Sequence, residues 1–272
     1  MNKRFEGWLL ISDMDDTLID SDRRISDKNI EAIKKFQSLG GRFTIATGRT
    51  MESAYRYIRD LPVDLPVILY NGAKIYDFQN EKTVFEIELE DRVKEIVKKI
   101  KEYNPSFGIE IYSNENTYIY SSCRFTERFK KRGYEVFYEI PETLWKENWT
   151  KVLVLAEEED EDYLEENFEN LFGKINLVRS GENYLEILPD NLSKGAALKN
   201  LCNLKNIDIN KVISVGDNMN DYELIKSAGY GFCVSNGNKK LISMCSNICP
   251  SNDENPIEYI VNLAMNNFEK LK

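Results

Sequence analysis

The chain has 272 residues, of which 30% are charged and 42% hydrophobic, with a formal net charge of −10. This is a globular composition, and the length suits one large domain or two modest ones. The acidic balance excludes a general nucleic-acid binder, which needs a basic stripe, and no apolar run in the chain approaches the ~18 residues of a membrane span.

Residues 8–11 form a short apolar run of buried-strand type that leads into Asp13, Asp15 and Asp16. Ser26 is placed to cap a helix with Ile30, Ile33 and Phe36 on one face, closed by Gly40 and Gly41. A second strand over 43–46 is followed by Thr47-Gly48-Arg49 and a helix through Arg59, and a third strand over 67–70 ends at Asn71-Gly72. This alternation predicts an α/β fold, a doubly wound parallel sheet of Rossmann-like type with its sites beyond the carboxyl ends of the strands.

From about Glu81 the text turns β-alternating and aromatic. Strands are expected over 84–89, 109–112, 118–120, 151–156, 175–178 and 184–188. A helix over 91–103 carries Val93, Ile96, Val97 and Ile100 at helical spacing, and an acidic helix covers 157–171. The acidic run 157–162 reads as a solvated face, and Tyr112, Tyr118, Tyr120, Trp145 and Trp149 read as core of this region. The first style then returns. Ser193 caps a helix that starts at Lys194, a strand over 212–215 ends at Gly216-Asp217, and a helix runs through Ala228. A strand over 231–234, a helix, Ile248-Cys249 and a C-terminal helix complete the chain. The simplest organisation is an α/β core of 1–80 and 188–272 interrupted by an α+β insert, 81–187.

Histidine is absent, which excludes Ser-His-Asp triads, Cys-His dyads, His-ligated zinc and phosphohistidine chemistry. No arginine follows any cysteine at the spacing of a Cys-x5-Arg phosphatase loop, and neither GxGxxG nor GxxxxGK[ST] occurs. The five cysteines are scattered and odd in number, the pattern of reduced cytoplasmic thiols, and Cys245 and Cys249 lack the second pair of a zinc site. The opening MNKRFEGW lacks the apolar stretch of a signal peptide, so a soluble cytoplasmic protein is expected. Carboxylate, hydroxyl, lysine and metal remain for chemistry.

In a doubly wound sheet the residues just past the strands meet at one rim. Here they are Asp13 and Asp15 after the first strand, Thr47 after the second, Asp217 and Asp221 after the strand over 212–215, and Lys194 at a helix start. Any one aspartate at a strand end serves equally as a turn former or a cap. Several converging with a lysine and a hydroxyl make a hard, oxygen-rich site of the kind that suits Mg2+. Asp13 and Asp15 alternate as strand residues do, so one can attack phosphorus while the other handles a proton.

The string Leu10-Ile11-Ser12-Asp13-Met14-Asp15-Asp16-Thr17-Leu18 resembles the DxDGT motif of the haloacid dehalogenase (HAD) superfamily of phosphohydrolases. Ile45-Ala46-Thr47-Gly48-Arg49 resembles its second motif, Lys194 its third and Gly216-Asp217-Asn218-Met219-Asn220-Asp221 its fourth. Asn71-Gly72-Ala73, Leu185-Glu186-Ile187 before Ser193-Lys194-Gly195, and Ser251-Asn252-Asp253-Glu254 are similar to the Cof-type branch, whose insert is a C2B cap.

The resemblance implies a Mg2+-dependent phosphatase of a small phosphorylated metabolite, such as a sugar phosphate or a phosphorylated cofactor. Asp13 is then the nucleophile that forms an aspartyl phosphate, and Asp15 the acid and base. Thr47, Gly48, Lys194 and Asn220 hold the phosphoryl group, while the Asp13 carboxylate, the Asp15 carbonyl and Asp217 hold Mg2+. Asp221 orients its neighbours. By position, Arg49 suits a substrate contact or a surface ion pair equally, and Asn71, at a strand end, is a candidate contact to the substrate or to the residues that hold it. Asp16 departs from the family, which usually has glycine there for a close backbone approach. A phosphomutase uses the same scaffold. An aspartyl-phosphate receiver is about half this length and lacks the second aspartate, and the full acidic set argues against a non-catalytic binding module.

Overall fold

The computed structural model describes residues 3–129 and 133–267. They fall into two compact units, one within 3–85 and 193–267 and the other within 86–192.

In the first unit, β1 (Leu9–Ser12) is buried on both faces, which is why it reads LLIS rather than alternating. α1 (Asp27–Ser38) starts where the Ser26 side chain accepts the Asn29 N–H, and it buries Ala32, Ile33 and Phe36. β2 (Arg42–Ile45), α2 (Met51–Ile58) and β3 (Val67–Leu69) follow. The chain then reverses through Tyr70, Asn71 and Gly72, whose φ values of 51°, 53° and 112° all lie in the left-handed region. β4 (Lys74–Asp77) therefore runs back antiparallel to β3, and with β5 (Lys82–Glu86) it makes a three-stranded sheet. The parallel sheet reaches β3 only through the bridge between Ala46 and Ile68, with the Thr47 N–H donating to the Ile68 carbonyl at 2.9 Å.

The second unit contains α3 (Arg92–Tyr103), β6 (Gly108–Ser113), β7 (Asn116–Ser121), β8 (Lys151–Leu155), α4 (Glu158–Phe172), β9 (Asn176–Gly181) and β10 (Tyr184–Leu188). Its antiparallel sheet has the order β7-β6-β8-β10-β9. One face supplies Ile109, Ile111, Val152, Val154, Leu185 and Ile187 to a core shared with α3, α4 and Trp149. Tyr118, Tyr120 and Trp145 pack against that core as expected. Tyr112 instead belongs to the opposite face and donates its hydroxyl to Glu110 at 2.7 Å. That face buries charge in pairs. Arg128 forks onto Glu110 at 2.6 and 2.7 Å, and Lys151 meets Glu186 at 3.0 Å.

The units part at Glu86 and Ser193, a few residues beyond the expected 81 and 188, the first because β5 joins the small sheet of the first unit.

The acidic run 157–162 is solvated except at Glu161, which is fully buried and accepts the Ala156 N–H at 3.3 Å. Burial pushes its carboxyl up to about 8 from an ordinary value of 4.5. A raised carboxyl contributes stability that is complete below its unfolded pKa and is lost as pH climbs to the folded one. Glu161→Gln is therefore expected to leave the Tm at pH 4.5 nearly unchanged and to raise it by a few degrees at pH 8.5. Calorimetry that gives equal shifts at both pH values overturns this reading.

The first unit resumes with α5 (Lys194–Lys205), where the Ser193 side chain accepts the Ala196 N–H, and β11 (Val212–Gly216). α6 (Tyr222–Ser227), β12 (Tyr230–Val234), α7 (Lys239–Met244), β13 (Asn247–Cys249) and α8 (Pro256–Asn267) complete it. The parallel sheet has the order β13-β12-β11-β1-β2. The chain leaves β1 toward β2 on one side and later returns to β11 on the other. The loops after these three strands therefore gather at one carboxyl rim, the usual place for a site. No helix among the described residues is long and apolar enough to cross a membrane.

Candidate active site

Asp13 follows β1 directly, and its N–H donates to the Val215 carbonyl at 2.9 Å, which sets it level with the end of β11. The fully buried Lys194, first residue of α5, donates to Asp13 Oδ1 and Asp221 Oδ1, each at 2.6 Å. Asp221 Oδ2 accepts the N–H groups of Asp217 at 3.0 Å and Asn218 at 3.3 Å. Gly216 makes room for it, since a Cβ there would lie 2.5 Å from Asp221. The Thr17 hydroxyl donates to Asp217 Oδ1 at 3.3 Å. One carboxylate oxygen from each of Asp13, Asp217 and Asp221 lies within 4.8 Å of the others, a group able to hold a divalent cation.

Three carboxylates face one ammonium here. Burial pushes the Asp13 carboxyl up to about 7, with Asp221 adding to the push and Lys194 opposing it. Burial, Asp13 and Asp221 together raise Asp217 well above the ordinary carboxylate range. Burial works to lower Lys194, but Asp13 and Asp221 overcome it and hold the ammonium above the ordinary lysine range. Asp13 is raised from 3.8 in the unfolded chain to about 7, so the stability it gives at low pH is lost across that window. In EDTA the Tm is expected to fall between pH 5 and pH 8, and to fall less in Asp13→Asn. A flat wild-type profile overturns the charge balance described here.

Asp15 has a different neighbourhood. Its carboxylate is gripped by Arg49, Nε on Oδ2 and Nη2 on Oδ1, both at 2.7 Å, and Arg23 reaches Oδ1 at 3.2 Å. Burial would raise its pKa, but the Arg49 fork overcomes this and holds it below the ordinary carboxylate range. Arg49 is itself fixed by the Ser53 carbonyl and hydroxyl at 3.2 and 3.1 Å and lies over the Tyr57 ring.

The buried Thr47 hydroxyl accepts the Arg49 N–H at 3.1 Å. Gly48 lies flush against Asn71, where a Cβ would come within 2.9 Å of Nδ2. Asn71 Oδ1 accepts the Asn220 side-chain N–H at 3.1 Å, which stitches the loops after β3 and β11. Asp16 takes φ 54°, so the turn keeps the left-handed geometry glycine would give it.

The structure thus joins Asp13, Lys194, Asp217 and Asp221 in one bonded group, Asp15 with Arg49 in a second, and Asn71 with Asn220 and Gly48 in a third. Thr17 and Arg23 also belong to these groups. Thr17 carries a signal, its fixed place in the first motif. Arg23 carries none, since a loop arginine has no periodicity to mark it.

The family model of haloacid dehalogenase-like hydrolases matches residues 10–261. A protein of Buchnera aphidicola subsp. Baizongia pistaciae, provisionally named a phosphatase, is 30% identical over 248 residues, covering 89% of this chain and 91% of its own length. The 5-amino-6-(5-phospho-D-ribitylamino)uracil phosphatase YwtE of Bacillus subtilis is 28% identical over 279 residues, covering 92% of this chain and 95% of its own. A solved HAD subclass IIB sugar phosphatase shares the fold with a TM-score of 0.82, covering 95% of this chain and 99% of its own at 17% identity. A match that starts inside β1 and runs into α8 takes in the whole rim in order, and the chain belongs to the haloacid dehalogenase-like hydrolases.

Proposed function

We propose that this protein is a Mg2+-dependent phosphatase of a small phosphorylated metabolite and works through an aspartyl phosphate. The observation that carries the reading is Lys194 bonded at once to Asp13 and Asp221 beside Asp217. Lys194 occupies Asp13 Oδ1, which leaves Oδ2 to attack phosphorus as the bond to the leaving oxygen breaks. Asp15, once it has taken a proton from solvent, gives it to that oxygen, then takes one from the water that attacks the aspartyl phosphate, which frees inorganic phosphate and restores Asp13. Before the first transfer Asp15 must leave the Arg49 fork. The Thr47 hydroxyl and the Gly48 backbone hold phosphoryl oxygens, with Lys194 balancing charge and Asn220 held in place by Asn71.

The donor set fits a hard divalent cation, because all three carboxylates are oxygen donors and burial leaves them short of positive charge. The Asp13 and Asp217 carboxylates and the Asp15 carbonyl would hold Mg2+, while Asp221 orients Lys194 and the β11 loop. Bound Mg2+ supplies charge neutralisation for the transferring phosphoryl group. Mg2+ at ~100 times its Kd is expected to raise the Tm by about 5–10 °C and to flatten the pH slope seen in EDTA. Asp217→Ala should lose most of that rise, and an equal rise in both proteins removes Asp217 from the ligand set.

The second unit, residues 86–192, is the C2B-type cap in this reading and selects the substrate. Two of the proteins named above are named for their substrates, a ribitylaminouracil phosphate and sugar phosphates, so the test is a panel of sugar phosphates and phosphorylated heterocycles assayed for Mg2+-dependent phosphate release. Asp15→Asn is expected to cost about 10²–10⁴-fold with alkoxide leaving groups and much less with p-nitrophenyl phosphate, whose leaving group needs little protonation. Equal losses remove Asp15 as the acid. Return of the phosphoryl group to a second position of the sugar, with no free phosphate, makes the protein a mutase instead.

A further inference from the structure

β13 and β1 are separated in the sheet by β12 and β11, yet the turn that follows β13 is bonded to the loop that follows β1. Asp253 accepts from Ser21 twice, Oδ1 from the N–H and Oδ2 from the hydroxyl, each at 2.8 Å. The Asn252 side chain donates to the Ile19 carbonyl at 3.1 Å, and its N–H donates to Asn236 Oδ1 at 2.9 Å. Asn236, just past β12, donates through Nδ2 to the Asp16 carbonyl at 2.9 Å. Ser251 and Glu254 close the turn on itself as a capping box. The three side chains therefore fasten the nucleophile loop at residues 16, 19 and 21.

The first of these points is the one under strain. Asp16 holds φ 54°, a conformation that glycine enters freely and aspartate, though more tolerant of it than most residues, enters only at a cost. Its carbonyl lies in the peptide that leads to Thr17, whose hydroxyl reaches Asp217, and its N–H lies in the peptide from Asp15. A turn that relaxes at Asp16 would re-aim Asp15 on one side and Thr17 on the other. We propose that Asn236, backed by Asn252 and Asp253, is a positioning residue that pins this left-handed turn, a duty that exists because aspartate rather than glycine stands at 16. The proposal rests on the phosphatase reading above. Asn236 is exposed, so its removal opens no cavity.

The test is a double-mutant cycle on the whole protein with p-nitrophenyl phosphate and Mg2+. Asn236→Ala is expected to lower kcat about tenfold with KM changed less than about twofold, the size of effect expected from freeing one strained backbone residue. In an Asp16→Gly background the same substitution should cost less than about threefold, because glycine holds the turn unaided. Equal losses in both backgrounds, or no loss in the wild type, overturn the proposal. If Asn236→Ala does not fold, Ser21→Ala enters the same cycle with the same pattern expected at smaller size. Asp13→Asn run beside it separates the two readings. If it is inactive while Asn236→Ala is unimpaired, the phosphatase mechanism stands and the positioning role falls; if it is active, the mechanism itself falls.

Discussion

Asp13→Asn is expected to reduce turnover by at least about a thousandfold, the scale on which removal of a covalent nucleophile acts. An amide of the same shape cannot form the acyl phosphate, and no other carboxylate stands in its place. Asp15 is engaged as acid and base in the same cycle, Asp217 would hold Mg2+, and Asp221 has both oxygens committed to Lys194 and the backbone. The fold should not suffer. Asp13 is a buried carboxyl raised to about 7, so in EDTA at pH 8 the neutral amide removes a charge that burial disfavours, and the Tm should hold or rise. Beryllofluoride with Mg2+ should inhibit the wild type as an aspartyl-phosphate mimic and should not bind the variant. Single-turnover kinetics paired with calorimetry decide the matter, and near-wild-type turnover in a folded variant ends the mechanism.

Lys194→Met should produce the largest loss of stability of any single change at the rim. The ammonium is buried and touches two carboxylates, so its removal leaves Asp13 and Asp221 without their counter-charge inside the protein. Breaking a buried ion pair from one side costs about 3–5 kcal/mol. At roughly 2–4 °C per kcal/mol for a chain of this size, the Tm should drop by about 6–20 °C in EDTA at pH 8. The drop should shrink at pH 5, where Asp13 carries its proton, and Mg2+ should restore part of it by replacing the missing charge. A merely apolar packing role for Lys194 would give a pH-independent drop that Mg2+ does not touch.

The rim was legible in the sequence because position along the chain already encodes it. Asp13, Thr47, Lys194 and Asp217 each stand at an element end, and element ends of a doubly wound sheet converge. What the side chains do to one another was less legible. Nothing in the residues around Asp15 shows that Arg49 and Arg23 close on it, since both arginines are as well suited to a surface ion pair. The reversal after β3 follows from left-handed backbone at Tyr70 and Asn71, and tyrosine gives no hint of such a conformation. Glu161 is the instructive miss. Composition places it in a solvated acidic run, but it stands three and seven residues before Leu164 and Phe168, which are buried with it on one helical face. Periodicity carried the answer that charge concealed.

The order of the parallel sheet also constrains how the protein is made. β1 pairs on one edge with β2, a short way along the chain, and on the other with β11, where Leu9 meets Val212. During synthesis β1 and β2 emerge early with one edge unpaired, and that edge waits until some 200 residues have followed. The second unit, contiguous from Glu86 to Leu192, has by then left the ribosome whole, and domains generally fold as units as they emerge. The nascent chain therefore carries a finished module ahead of an unfinished one, and the half-built sheet with its apolar LLIS strand is the species that chaperones would meet. Ribosome release before β11 should yield aggregation through that open edge, whereas release after α8 should not.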